Sequence, residues 1–170
     1  GLEKLGQTKT IRIVEIINHI NSDHLSFLIL NYIQPKKETK KFWENFGIKL
    51  NQLHQNQSRS FGLDSPNYIG NLPQLNNWCS TWTEFYVTQR LEPQLKKAIE
   101  KGFLKGLTQQ FEKLFHNIDT LFPQEPPSLI HGDLWRENFI SGENNTPFLI
   151  DPAIYFGHRE MDIGMSLLFG

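Results

Sequence analysis

Asp133, Asn138 and Asp151 are the residues of this chain best suited to chemistry. Asp133 and Asn138 stand five positions apart in the run His131-Gly132-Asp133-Leu134-Trp135-Arg136-Glu137-Asn138, after the apolar pair Leu129-Ile130. Asp151 closes a second apolar run, Phe148-Leu149-Ile150. A carboxylate on a tight loop can orient a hydroxyl and take its proton. A second carboxylate and an amide supply hard oxygen ligands for Mg²⁺, which keeps several waters and takes few protein groups. Asn138 adds its oxygen without another negative charge near phosphates. The set therefore suits phosphoryl transfer from a metal-bound nucleotide to a hydroxyl. The plainer reading of each residue alone is a turn or helix cap, where aspartate is common. The order, spacing and apolar flanks of the three together favour the chemical reading.

The neighbours of these residues have two readings each. His131 is expected to hold the loop as a neutral hydrogen-bonder rather than to act as a base. Trp135 is either a core aromatic or a flat platform for a sugar face. Arg136 either contacts phosphate through its fork of donors or pairs with Glu137 or Glu160. Asp162 fits the acidic first turn of a helix. A zinc or di-metal hydrolase site built from His131, Asp133, His158, Glu160 and Asp162 has suitable ligand types, but no HExxH-like helix pair accompanies it.

The elements that must position these residues are mixed. Residues 11–17 are β-branched and read as a strand, Asn21-Ser22-Asp23 as a turn, and 25–33 as a second strand ending at Pro35, the two forming an antiparallel pair. Phe42, Phe46, Leu50 and Leu53 recur at helical spacing. Residues 56–79, rich in Asn, Gln, Ser, Gly and Pro, read as a long ordered loop of the kind that carries function. Residues 81–102 read as helix with Trp82, Phe85 and Tyr86 inward, and Pro93 starting a new segment or kinking this one. Leu104, Leu107, Phe111, Leu114, Phe115, Ile118 and Leu121 form the cleanest helical stripe. A short hairpin over 138–140 and 148–150 and a helix from Asp162 to Phe169 complete the pattern. The fold class is α+β.

Composition excludes several functions. With 17 basic and 18 acidic residues the net charge is −1, which leaves no footprint for nucleic acid. No run of 18 apolar residues exists to span a membrane. A single cysteine, Cys79, rules out an intrachain disulfide and fits a reducing, cytoplasmic setting. The chain opens at Gly1 on what reads as a helix tail and stops at Gly170 after an apolar run, so a fragment of a longer protein is the expectation. Nothing in the sequence sets an oligomeric state.

The spacing of Asp133, Asn138 and Asp151 resembles the protein-kinase catalytic loop, H-R-D-x-x-x-x-N with a downstream metal-binding Asp, in the His-Gly-Asp variant of small-molecule kinases of the aminoglycoside and choline type. More closely, the chain resembles the fructosamine (ketosamine) kinase family. His131-Gly132-Asp133-Leu134-Trp135 and Asp151-Pro152-Ala153 carry the likeness, with Phe61-Gly62, Pro73-Gln74, Asn76, Trp82, Arg90-Leu91 and the run Tyr155 to Glu160. The resemblance implies a protein-kinase-like fold, here truncated. Residues 1–35 would be the end of the N-terminal lobe, with helix tail, two strands and hinge. Residues 36–170 would be a mostly helical C-terminal lobe with catalytic and metal loops.

The same resemblance implies ATP and Mg²⁺ as cofactors, small-molecule or protein-bound ketosamines as substrates, and a role in protein deglycation. Asp133 would be the catalytic residue, Asn138 and Asp151 metal ligands, His131 and Asp162 supports of the catalytic loop, Trp135 and Arg136 substrate contacts, and Asn31 and Ile33 nucleotide contacts at the hinge. Arg136-Glu137 stands where the family usually has Ser-Gly, and Asn31 where the hinge often has Glu. The family's glycine-rich phosphate-covering loop and strand lysine have no counterpart in residues 1–60. Residues 1–170 alone are therefore expected to bind ATP weakly and turn over little. Another small-molecule kinase, or a non-catalytic kinase-like binding module, is the alternative.

Overall fold

A short helix, α1 (Leu2–Gln7), buries Leu2 and Leu5. The β-branched run after it, expected as one strand, is divided between two sheets. In the computed structural model, which describes every residue except Lys105 and Leu107 and only the backbone of Thr108, β1 (Arg12–Ile13) pairs in parallel with Phe148 and Leu149. The Val14 amide extends this pairing to the Leu149 carbonyl at 3.1 Å. β2 (Ile16–Asn21) then pairs antiparallel with β3 (Ser26–Leu30), as the sequence led us to expect, with a register shift between Ile16 and Asn18. Burial explains the division. Ile11 and Val14 lie in the core, whereas Ile17, Ile20 and Phe27 of the hairpin are exposed.

Residues 31–39 run without regular structure to α2 (Lys40–His54). Thr39 caps this helix, its Oγ1 accepting the Phe42 amide at 3.2 Å, which satisfies one of the free N–H groups of the first turn. Phe42, Phe46, Leu50 and Leu53 are buried as their spacing predicts, and His54 shares their face. The expected loop at 56–79 contains a hairpin, β4 (Asn67–Ile69) and β5 (Leu72–Gln74). It turns at Gly70, whose φ of 53° lies in the left-handed region. Gly70-Asn71 between two short apolar stretches is a two-residue hairpin signal that composition had masked.

The helical stretch 81–102 is broken in the way Pro93 requires. α3 (Trp82–Phe85) runs into a π-helical turn, Tyr86–Leu91, and then α4 (Glu92–Glu100). Pro93 has no amide for the Gln89 carbonyl. The Glu92 amide reaches back five residues to Val87, and the freed Gln89 carbonyl accepts from Arg90 Nη1 at 3.0 Å. The stripe expected over 104–121 becomes α5 (Thr108–Asn117) and one 3₁₀ turn, Ile118–Thr120. Among the described residues of that stripe only Ile118 is buried, Leu104, Phe111 and Phe115 are half-buried, and Leu114 and Leu121 are exposed. Leu107 lies outside the described residues. Periodicity there marks a helix whose apolar face is left largely uncovered among the described residues.

The remaining strands frame the loops of interest. β6 (Ser128–Ile130) pairs antiparallel with β9 (Tyr155–Gly157). β7 (Phe139–Ser141) and β8 (Pro147–Leu149) form the expected hairpin, with β1 on the far side of β8. α6 (Glu160–Phe169) closes the chain. One core unites Leu5 and Ile11 with Phe42, Leu53, Phe139 and Leu149. No helix among the described residues is long and apolar enough to cross a membrane.

Phe42 is 0% exposed, with its ring stacked on those of Phe46 and Phe139 at centroid separations of 5.8 and 6.1 Å. Phe42→Ala should therefore cost about 3–5 kcal/mol of stability. Urea unfolding measures this, and a loss below about 1 kcal/mol would show that the α2–β7 contact is not the centre of the core.

Candidate active site

The loop between β6 and β7 begins with His131 and Gly132, whose amides point at one buried carboxylate. Asp162, fully buried at the start of α6, accepts the His131 amide on Oδ2 and the Gly132 amide on Oδ1, each at 2.9 Å. His54, at the end of α2, donates from Nε2 to the same Oδ2 at 2.9 Å. A charged acceptor holding three donors in a dry site makes the strong class of hydrogen bond. Gly132 is required here. Its φ is 81°, and a Cβ would lie 2.1 Å from the Ala153 carbonyl oxygen, which only glycine avoids.

His131 holds the loop a second way. Its Nε2–H donates to the Ile150 carbonyl at 3.0 Å, and Nδ1 accepts the Asp133 amide at 3.3 Å. Those partners assign the neutral tautomer. Burial pushes the imidazole below its ordinary range, outweighing the nearby carboxylates led by Asp162.

Asp133 is half-buried in the same loop. Burial raises its carboxyl above the usual range, opposed by His131 and by the Asn138 amide, while Asp151 and Asp162 raise it further. Asn138 Nδ2 donates to the Asp133 carbonyl at 2.8 Å and to Asp133 Oδ2 at 3.1 Å, so its amide oxygen faces away from Asp133. Asp151 follows Ile150, exposed and with φ at 52°. The structure thus ties His131, Asp133, Asn138 and Asp162 together by direct hydrogen bonds, and brings Asp151 within electrostatic reach of Asp133 and His131. Asn138 and Asp151 offer one amide and one carboxylate oxygen, a donor set that fits a Mg²⁺ ion completing its shell with phosphates and water.

The other candidate residues lie around this centre. Trp135 is half-buried, its carbonyl accepting the Asn138 amide at 3.0 Å. Arg136 pairs with Glu38 at 2.7 Å and lies over the Phe139 ring. The sequence suggests phosphate, or else Glu137 or Glu160, as its contact. Glu38 wins because its segment is fastened to the β7–β8 hairpin, by the Lys36 amide on the Ser141 carbonyl at 2.7 Å and by Thr39 Oγ1 on Asn145 Oδ1 at 2.5 Å. Asn31 and Ile33 are held by other contacts. The Asn31 amide donates to the Glu15 carbonyl at 2.8 Å, and Ile33 lies beside Gly142 of the hairpin turn. A cavity of about 600 Å³ opens at Asp151, walled by Ile16, Leu28, Leu30 and Ile150. It includes neither Asn31 nor Ile33.

The zinc-hydrolase alternative fails on geometry. His158 donates from Nε2 to the Pro123 carbonyl at 3.0 Å and accepts the Glu160 amide on Nδ1 at 3.3 Å. Both imidazoles of that set are thus committed to backbone, and no group of three metal-binding His, Cys, Asp or Glu residues occurs among the described residues. Sequence reasoning missed His54 and Glu38. A histidine on the apolar face of α2, four residues after Leu50, was the available signal for the first. Glu38 carried none.

Strand, loop, hairpin and bracing helix frame the site, and comparison with known proteins gives the class. The family model for fructosamine kinase matches residues 1–170, and the chain belongs to that family. It is 37% identical to the chloroplastic protein-ribulosamine 3-kinase of Arabidopsis thaliana, over 100% of this chain and 53% of that one. It is 35% identical to a candidate ketoamine kinase of Vibrio cholerae, over 100% of this chain and 59% of the relative. The crystal structure of a candidate fructosamine-3-kinase from Haemophilus somnus superposes with a TM-score of 0.88 at 34% identity, covering 99% of this chain and 57% of that one. The chain thus spans a little over half the length of the relatives it matches.

The lowered His131 makes stability depend on pH with a definite sign. The unfolded imidazole titrates near 6.5 and the folded one below it. Between those values the unfolded chain binds more protons, so stability is fully present above about pH 6.5 and declines as pH falls. Urea unfolding at pH 7.5 and 5.5 should show that loss in the parent protein and a smaller one in His131→Asn. Equal losses would mean that His131 is not the titrating group.

Proposed function

We propose that these residues are the acceptor-side part of an ATP-dependent kinase that phosphorylates a sugar hydroxyl of ketosamines, free or protein-bound, and so serves protein deglycation. The observation that carries this is the Asp133 carboxylate, held half-open by Asn138 on a loop fixed from below by Asp162. The family membership and the names of the relatives support the substrate class.

In this reading the acceptor hydroxyl sits against Asp133. As its oxygen bonds to the terminal phosphorus of ATP, the bond to the ADP oxygen breaks and the hydroxyl proton passes to the Asp133 carboxylate. Asn138 keeps that carboxylate turned toward the acceptor. Its amide oxygen and the Asp151 carboxylate would hold Mg²⁺, which when bound neutralises charge on the phosphates. His131 and Asp162 keep the loop backbone still, so that little rearrangement is needed at the moment of reaction. Trp135 offers a face for the sugar and Arg136, steadied by Glu38, the rim beside it. Residues 1–35 would form the edge of a nucleotide-binding lobe. With the Asn31 amide taken by Glu15, the Asn31 carbonyl and the backbone of Ile33 remain to meet adenine. A cytoplasmic setting belongs to the same reading.

Asp133→Asn in the full-length protein carrying these residues should lower kcat about 10²- to 10⁴-fold, or about 3–5 kcal/mol in the barrier, with ATP affinity unchanged. Because the carboxylate form is the active one, the acid limb of the parent kcat/KM profile should lie above the ordinary 3.8 of aspartate. Near-normal turnover of a fructose-lysine substrate by the variant would end this assignment.

Mg²⁺ should bind only together with nucleotide, because two protein oxygens are too few to hold it alone. Calorimetric titration with and without a non-hydrolysable ATP analogue tests this. Micromolar binding of the ion in the absence of nucleotide would contradict it.

A further inference from the structure

The segment 56–79 carries buried amides that the chemistry above leaves unused. Gln74, 5% exposed, donates from Nε2 to the Ala153 carbonyl at 3.1 Å and to Asn67 Oδ1 at 2.9 Å. Asn67 Nδ2 donates to the next carbonyl, that of Ile154, at 2.8 Å. Asn76, 3% exposed, donates to Asn67 Oδ1 and to the Ser65 carbonyl, each at 3.0 Å. Its own Oδ1 accepts from Arg90 Nη2 at 2.7 Å. Arg90 is set by the π-helical turn and lies over the rings of Phe85 and Tyr155, 4.6 and 4.1 Å from their centroids. An unbroken chain of hydrogen bonds thus runs from that turn, through three side-chain amides, to two carbonyls just beyond Asp151-Pro152.

Those carbonyls need such a hold. Asp151 sits at φ 52° without being glycine. Such a conformation is strained for a residue with a Cβ and persists only where the surroundings enforce it. On one side the Ala153 amide is fixed by the His131 carbonyl at 2.9 Å. On the other, the Ala153 and Ile154 carbonyls have Gln74 and Asn67.

We propose that Gln74, acting with Asn67, is a positioning residue for Asp151: it fixes the 151–155 backbone through its carbonyls and so sets where the Asp151 carboxylate meets a metal–nucleotide. The proposal rests on reading Asp151 as a ligand of that complex. Gln74 touches no reacting atom itself. Its effect is on the metal-assisted part of nucleotide binding and leaves the proton transfer at Asp133 alone.

The test uses the full-length protein with Gln74→Met, which keeps the length of the side chain and removes both donated bonds. Asn67→Ala, at a half-buried position, serves as the second variant should the first fold poorly. Amide hydrogen exchange should speed up at 151–156 while α2 stays protected. In calorimetry with a non-hydrolysable ATP analogue, the gain in affinity on adding Mg²⁺ should fall about 10- to 100-fold, as for other groups that orient a metal ligand, with metal-free binding unchanged. Unaltered exchange at 151–156 overturns the proposal. So does an equal loss of both bindings with exchange raised throughout, since that is plain destabilisation. If the parent protein shows no Mg²⁺-assisted binding, the kinase reading fails and takes the metal half of the proposal with it. A selective rise in exchange at 151–156 would even then establish the hold of Gln74 on the loop.

Discussion

The site depends on one carboxylate. Asp162 gathers two successive backbone amides from the 131–138 loop and a side-chain donor from His54. Each hydrogen bond to a charged group is worth about 1.5–3 kcal/mol, and a partner left bare in the interior costs a comparable amount. The consequence is geometric as much as energetic. Two amides in a row on a single carboxylate fix the direction in which the loop leaves β6, and with it the position of Asp133, the next residue. Because Asp162 lies on α6 and His54 on α2, the loop takes its place from helices on either side of it.

Three further contacts fasten what this bracket leaves free. His131 joins the 131–138 loop to Ile150, immediately before Asp151. The Ala153 amide returns to the His131 carbonyl, so the two aspartate-bearing loops are laced together across one histidine. Arg136 reaches outward to Glu38 and holds the apex of the loop against the segment leading into α2. An exposed ion pair of this kind adds little stability. Its contribution is to orient the loop, because its acidic partner sits on backbone already fixed to the β7–β8 hairpin.

How much could be read from the sequence follows the range of the forces involved. The pair Asp133 and Asn138 and the α2 face are local: residues five apart on a loop, or four apart on a helix, declare themselves by spacing. The antiparallel β2–β3 pair and the β7–β8 hairpin are local as well, set by the turns between their strands. The parallel pairing of β1 with β8 left no mark, since a β-branched run looks the same whichever sheet it joins. The same holds for His54 and Asp162, whose contact spans 108 positions, and for Gln74, which lies in a polar stretch that reads as loop. Leu114 shows the converse. Its place in the stripe describes a helix correctly and says nothing of what, if anything, covers it.

Pro93 has a consequence beyond the helix it interrupts. By withholding one amide it lets the helix slip by a residue, and the carbonyl so released draws in the neighbouring guanidinium. Arg90 is then turned to stack on Tyr155 and to reach Asn76. At about 100° of rotation per residue, a regular helix through this stretch would face Arg90 elsewhere. Local helical quality and loop geometry therefore pull in opposite directions here. The segment that follows Asp151 is thus held by a side chain whose direction is set by one missing helical hydrogen bond.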